Sequence, residues 1–274
     1  MEISVRGVDK RFSARGREVF ALRDASLEVR ANEFLTLLGP SGCGKSTLLQ
    51  IIAGLEASSA GRVEFRGERK ACGPMTTMVW QKYALFPWRT VLGNVVFGSE
   101  VRHMKKRERL KRGRDFIRVV GLEGFEDAYP HELSGGMQQR AALARALCND
   151  PEILLMDEPL AALDAQTRAL MQVELLRIWD RYRKTVVYVT HSIDEAVLLG
   201  DRIAVMTARP GRIKEIIPVT LPRPRTLDML TTQEFHAIAD HAWSSIKAEF
   251  ETLSSRPAPH DADTSPATEL RAHP

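Results

Sequence analysis

Glu33-Phe-Leu-Thr-Leu-Leu-Gly-Pro-Ser-Gly-Cys-Gly-Lys-Ser-Thr-Leu-Leu-Gln-Ile-Ile-Ala-Gly54 decides the fold class of this 274-residue chain. Its opening, Glu33 to Leu38, is a short apolar run that suits a buried strand. From Lys45 onward the apolar residues Leu48, Leu49, Ile51 and Ile52 have helical spacing, and Gly54 suits the end of that helix. Between them Gly39–Thr47 fits G-x-x-x-x-G-K-[ST]. Glycines here let backbone N–H groups converge on an anion with no Cβ in the way. The helix that starts there adds free N–H groups and a positive dipole end. Gly39, Pro40, Ser41, Gly42, Cys43, Gly44, Lys45, Ser46 and Thr47 are therefore candidate phosphate-binding residues. Lys45 would reach the β and γ phosphates, the Ser46 hydroxyl would ligate Mg²⁺, and Cys43 fills space. The bland alternative is a Gly-rich turn without ligand.

Working outward, the same strand and helix grammar recurs. Ile3, Val5 and Val8 read as one face of a strand and Ser26 to Arg30 as another, joined through a polar turn at Ser13–Arg17. This predicts an antiparallel β layer. Arg62–Phe65 and Thr77–Trp80 are short strands; residues 95–150 lose the β pattern and are mostly helical. Strands follow at Glu152–Asp157, Thr185–Thr190 and Arg202–Met206, with helices at Ala165–Arg183 and Ile193–Leu199 between them. In the first of these helices Leu170, Val173, Leu176, Ile178 and Trp179 supply the apolar positions. Alternation of this kind makes an α/β sheet with covered faces, interrupted by a helical insertion. Residues 222–253 read as a helical extension and 254–274 as a disordered tail.

Phosphate chemistry needs a carboxylate for the metal. Asp157, at the end of a buried strand, would hold Mg²⁺ mainly through water. Glu158 beside it would orient and polarise an attacking water. Without the phosphate loop upstream, two adjacent acids would equally well end a strand and cap the next segment.

Composition excludes several classes. Mean hydropathy is −0.21, and no apolar run approaches the ~20 residues of a membrane span. The start, MEISVRGVDK, has no apolar stretch of a secretory signal. Cys43, Cys72 and Cys148 form no C-x-x-C pair or disulfide framework, so a reducing compartment is the simplest reading. The net charge of +4 is uneven: Arg102–Arg118 holds nine Lys/Arg against two Asp/Glu. That segment is a solvated helix face or a contact for anionic headgroups or an acidic partner loop.

Leu133-Ser-Gly-Gly-Met-Gln-Gln-Arg140, shortly before the carboxylate strand, resembles the signature of ATP-binding-cassette (ABC) transporter ATPases. The resemblance covers about Ile3 to Leu221 and implies an α/β fold: a P-loop NTPase core with an N-terminal antiparallel β layer and an inserted α-helical subdomain. The core would comprise 1–94 and 151–221, and the signature subdomain 95–150. It implies ATP and Mg²⁺ as ligands and ATP hydrolysis as the activity. Ser134, Gly135, Gly136 and Gln138 would grip the γ-phosphate held by a second copy, since one chain cannot fold this site onto its own loop. Ser134 followed by two glycines is otherwise an ordinary helix cap. Gln81 matches the glutamine that contacts metal and water, so the implied metal ligands are Ser46, Gln81 and Asp157. His191 matches the switch histidine at the γ-phosphate, and Asp164 the loop that crosses the dimer. The implied catalytic residues are Glu158, His191, Gln81 and Lys45. Phe12 most resembles the aromatic that stacks on adenine; Phe20 competes, and either also fits a core position. Asn32, Trp80, Ala161 and Ala162 depart from common family residues without removing a chemical group.

Two stretches resemble the importer branch for nitrate, sulfonates and taurine: Gln81–Trp88 followed by Thr90–Val95, and Met206–Ile213 followed by Leu221–Arg225. This implies a homodimer, two membrane permease subunits, an extracytoplasmic substrate-binding protein, and a peripheral place on the cytoplasmic face of the cell (inner) membrane. Trp88 either contacts a permease helix or closes the subdomain core. The rivals are less well supported. A nucleic-acid ATPase of this fold would carry a long coiled coil or a second cassette, an exporter is often fused to its spans, and a non-hydrolysing cassette would not need both Glu158 and His191.

Overall fold

The computed structural model describes residues 1–14, 17–69 and 73–254. Part of the predicted Ser13–Arg17 turn, Cys72 and residues 255–274 of the predicted tail lie outside them. Nine strands form two sheets among the described residues. Strands β1 (Glu2–Ala14), β2 (Arg17–Val29) and β4 (Ala60–Arg66) make an antiparallel layer in the order β2-β1-β4. Strands β3 (Phe34–Leu38), β5 (Thr76–Val79), β6 (Ile153–Asp157), β7 (Thr185–Thr190), β8 (Arg202–Met206) and β9 (Ile213–Pro218) make the second sheet, ordered β5-β6-β7-β3-β8-β9. Its pairs are parallel except β8–β9. The helices are α1 (Lys45–Ile52), α2 (Val91–Val95), α3 (Phe97–Val101), α4 (Lys106–Val119), α5 (Gly135–Cys148), α6 (Ala165–Tyr182), α7 (Ile193–Leu199) and α8 (Gln233–Ser254).

The strands of the second sheet are apolar at nearly every position because both faces are covered. Alternate residues go to different cores. Leu35, Leu37, Ile153, Leu155, Val187 and Val189 pack with α1 and the antiparallel layer. Phe34, Leu38, Leu154, Met156, Val186 and Tyr188 pack against the helices of the other side. In β1, Ile3, Val5 and Val8 are all buried although Val5 and Val8 are an odd number apart. A register shift between them, with Gly7 at φ 55°, returns Val8 to the core face.

Helices α2 to α5 are inserted between β5 and β6, and the first begins at Val91, earlier than the expected 95. In α4, Gly113, Phe116 and Ile117 face inward. Its basic residues are partly neutralised: Arg109 lies 3.7 Å from Glu100, Arg112 3.7 Å from Asp150, and Arg118 3.2 Å from Asp115. In α6, Met171, Leu175, Leu176, Ile178 and Trp179 are buried. Leu170 and Val173, which also count among its apolar positions, are exposed. A helix with apolar residues around much of its circumference does not reveal from spacing alone which stripe faces the core. Strand β9 was not anticipated, because Ile213–Pro218 lacks strict alternation and takes its register from the hairpin with β8. Arg225 is buried and donates Nη1 hydrogen bonds to Val197 O, Leu198 O and Gly200 O at 3.1, 3.1 and 2.6 Å. It satisfies carbonyls left open at the end of α7. Burial lowers its pKa to about 10, so it stays charged near neutrality. Among the described residues no helix is long and apolar enough to cross a membrane.

Candidate functional site

Parallel strands bring their carboxyl ends to one edge of the sheet, which is where α/β folds place ligands. Here β6, β7 and β3 are neighbours. Asp157–Glu158 leaves β6, His191 leaves β7, and the Gly39–Gly44 loop leaves β3. Residues far apart in sequence therefore meet for a topological reason.

Gly42 and Gly44 have φ 74° and 104°, backbone that disfavours side chains. A Cβ on Gly44 would also lie 2.8 Å from Ala21 O. The loop thus wraps tightly, and α1 starts directly behind it. Lys45 is only 4% exposed; its Nζ donates to Gly39 O at 2.7 Å and Pro40 O at 3.0 Å, and lies 3.9 Å from Glu158 Oε1. Ser46 Oγ donates to Asp157 Oδ1 at 2.8 Å. Burial pushes the Asp157 carboxyl above its ordinary range, Glu158 adds to this, and Ser46 and Lys45 oppose it. Glu158 has φ 43°, a strained conformation for a non-glycine residue. Its N–H donates to Val189 O at 3.1 Å, and its Oε2 lies 3.1 Å from His191 Nδ1. A carboxylate only accepts, so Nδ1 carries the hydrogen when Glu158 is ionised.

A cavity of about 410 Å³ opens over the loop. Ser41, Gly42, Gly44, Lys45, Ser46, Thr47 and Glu158 line one part, and Phe12, Val19, Ala21 and Arg209 the rest. Phe12, 42% exposed, is on its wall; Phe20 is not among the lining residues and packs against the guanidinium groups of Arg11 and Arg23. Cys43 is buried beneath the loop, and burial raises its thiol pKa.

Other predicted residues do not line this cavity: His191 reaches it only through Glu158, and Gln81, Asp164 and Ser134–Gln138 are not among the described residues lining it. Gln81 is exposed in the loop after β5. Ser134 caps α5, its Oγ accepting from Met137 N–H at 3.3 Å, so the capping role is present. Gln138 Nε2 donates to Leu133 O at 3.2 Å. Asp164 caps α6 by accepting from Thr167 N–H at 3.0 Å, which holds its carboxyl below the usual range. A Cβ on Gly136 would lie 2.6 Å from Thr167 Cγ2, so this glycine lets α5 and α6 approach. Trp88 is 71% exposed and touches Phe86 at 5.5 Å between ring centroids, so it does not close the subdomain core.

Sequence reading missed four contributors. Val19, Ala21 and Arg209 line the cavity. Arg145 of α5 donates to Ala84 O at 2.7 Å and Tyr83 O at 3.1 Å, tying the Gln81 loop to the helix that Ser134 begins. No local pattern signals such a contact between distant segments. Among the described residues no group of three or more His, Cys, Asp or Glu could hold a metal alone. The Ser46–Asp157 pair nevertheless fits Mg²⁺, which takes few protein oxygens and completes its shell with phosphates and water.

Residues 22–161 match the family model described as ABC transporter. The chain is 58% identical over 253 residues to an uncharacterized ABC transporter ATP-binding protein of Methanocaldococcus jannaschii, covering 90% of this chain and 95% of the relative. It is 44% identical over 248 residues to the aliphatic sulfonates import ATP-binding protein SsuB of Bacillus subtilis, covering 90% and 95%. A solved dimeric ATP-binding cassette in a post-hydrolysis state, bound to ADP and Pi, aligns with TM-score 0.69 at 31% identity, covering 80% of this chain and 100% of that one. With likeness of this extent along both sequences, the chain belongs to the ABC transporter family as an ATP-binding cassette that hydrolyses ATP.

Proposed function

We propose that this cassette is the ATPase subunit of an importer, and that its cargo is a small oxyanion of the sulfonate, taurine or nitrate type. The observation that carries this reading is the likeness, over nine-tenths of the chain, to a sulfonate importer's ATP-binding protein.

In this reading ATP lies in the cavity over Gly39–Thr47, with its base against Phe12 and its phosphates on the loop N–H groups and Lys45. Glu158 accepts the proton of the attacking water, and His191 holds the Glu158 carboxylate in line. Ser46, Asp157 and Gln81 would hold Mg²⁺, which when bound neutralises charge on the phosphate oxygens. Two copies pair head to tail. Ser134, Gly135, Gly136 and Gln138 of one copy close on the γ-phosphate held by the other, near Asp164. Two separate permease subunits each dock a short helix beside Gln81 and the exposed Trp88. Arg145 would carry that docking to α5 through the Tyr83 and Ala84 carbonyls. ATP biases a two-state equilibrium toward the closed pair, and hydrolysis releases it. The cassette would sit peripherally on the cytoplasmic face of the cell membrane, and an extracytoplasmic binding protein would deliver the solute. No nucleic acid takes part.

Reconstitution in proteoliposomes with the permease subunits that co-purify with the chain tests this. ATP-dependent uptake of an alkanesulfonate, taurine or nitrate is expected. Outward transport, or uptake of none of these anions with ATPase activity intact, would contradict the cargo and direction.

A further inference from the structure

Met206–Ile213 carries a resemblance to the importer branch, and the hydrolytic chemistry does not use it. It is the turn between β8 and β9, and it closes on the phosphate loop. Internally, Thr207 N–H donates to Arg212 O at 3.0 Å and Thr207 Oγ1 donates to Pro210 O at 3.1 Å. Three neighbours fix it from outside. Gly211 N–H donates to Ala21 O at 2.9 Å and Arg23 N–H to Gly211 O at 3.0 Å, joining it to β2. Ala208 N–H donates to Glu249 Oε2 of α8 at 2.9 Å. A Cβ on Gly211 would lie 2.0 Å from Cys43 O, so the turn's backbone rests directly on the loop.

This turn sets Arg209 on the wall of the nucleotide cavity. Its Nε–H donates to Gly42 O at 3.2 Å, and its Nη2 lies 3.7 Å from where a Gly42 Cβ would be. The guanidinium therefore lies across the outer side of the loop, while Lys45 reaches the same loop from its buried side. Both side chains line the cavity over the loop.

We propose that Arg209 is a nucleotide-binding residue whose guanidinium contacts the polyphosphate of ATP and ADP from outside the phosphate loop. A guanidinium keeps its charge at any physiological pH and offers a planar set of donors suited to phosphate oxygens. The Gly42 hydrogen bond and the anchored turn hold that plane in advance, so little side-chain freedom remains to be lost on binding. The inference rests on the reading that ATP occupies this loop.

Calorimetric titration of the full chain with ATP, ADP and AMP tests it, using Arg209→Ala, Arg209→Lys and Lys45→Ala. Arg209→Ala should weaken ATP and ADP by roughly 10- to 100-fold, the scale of one charged hydrogen bond, and AMP less. Arg209→Lys should recover part of the loss, and the melting temperature of the nucleotide-free protein should not change. If Lys45→Ala weakens ATP and Arg209→Ala does not, the Arg209 assignment falls alone. Should neither variant change affinity, the loop is not the nucleotide site and both readings fall. Equal losses for ATP and AMP with a lower melting temperature would make Arg209 a support of the turn and overturn the proposal.

Discussion

His191 Nδ1 lies 3.1 Å from Glu158 Oε2 across the carboxyl ends of two adjacent parallel strands. The other Glu158 oxygen is 3.9 Å from Lys45 Nζ. The carboxylate thus lies between the buried lysine of the loop and a histidine that fixes its rotation. His191 itself is half exposed, so its removal leaves little void. His191→Ala is expected to lower ATP turnover by about 10²-fold or more while nucleotide affinity changes only a few-fold. Single-turnover kinetics beside equilibrium titration separate the two quantities.

Ser134 does local work as the cap of α5, and the dimer reading gives it a second task. Two substitutions separate them. Ser134→Ala removes the cap alone and should cost about 1 kcal/mol of stability. Ser134→Arg places a long side chain where the partner's γ-phosphate would come, and should abolish ATP-dependent dimerisation in sedimentation velocity. Normal dimerisation of the arginine variant would refute the shared site.

Arg225 takes three carbonyls at the end of α7 and also donates Nη2 to Leu221 O at 3.3 Å. Helix α7 starts just after His191, so this clamp fixes the far end of the helix that follows the histidine. Arg225→Ala leaves buried acceptors without donors and should lower unfolding free energy by roughly 2–4 kcal/mol in urea titrations. Arg225→Lys should recover only part, because an ammonium cannot span the same carbonyls.

Two carboxylates hold α8 on β9 and predict that this docking weakens in acid. Glu215 is held below its ordinary 4.5 by Ser245 and His241. For Glu249 burial acts upward, but the Ala208 N–H and Lys214 outweigh it and lower the value. Depressed folded values contribute stability above about pH 4.5 that is lost as pH falls through them. Emission from Trp243 on α8 should therefore change as pH falls below about 4.5. Glu249→Gln should reduce that acid-induced change.

The strand, loop and helix at Glu33–Gly54 were legible because glycine spacing, strand length and helix periodicity are local properties. Asp157–Glu158 and His191 were legible as strand ends, though their 3.1 Å approach is a product of the β6-β7-β3 order. What stayed hidden depends on distant partners. Strand β9 takes its register from β8, the outward turn of Leu170 depends on which face of α6 meets the core, and Arg209 reaches Gly42 across 167 positions. Phe12 and Phe20 have similar local sequence credentials, and they separate only through where β1 and β2 place them relative to the cavity.

The central claim is that Glu158 activates the water that cleaves ATP. Steady-state phosphate release by Glu158→Gln, measured with ATP affinity on the same preparation, tests it most directly. The account predicts turnover reduced by about 10²–10⁴-fold, nucleotide affinity retained, and a closed dimer that persists with ATP. Hydrolysis at the unsubstituted rate would contradict it.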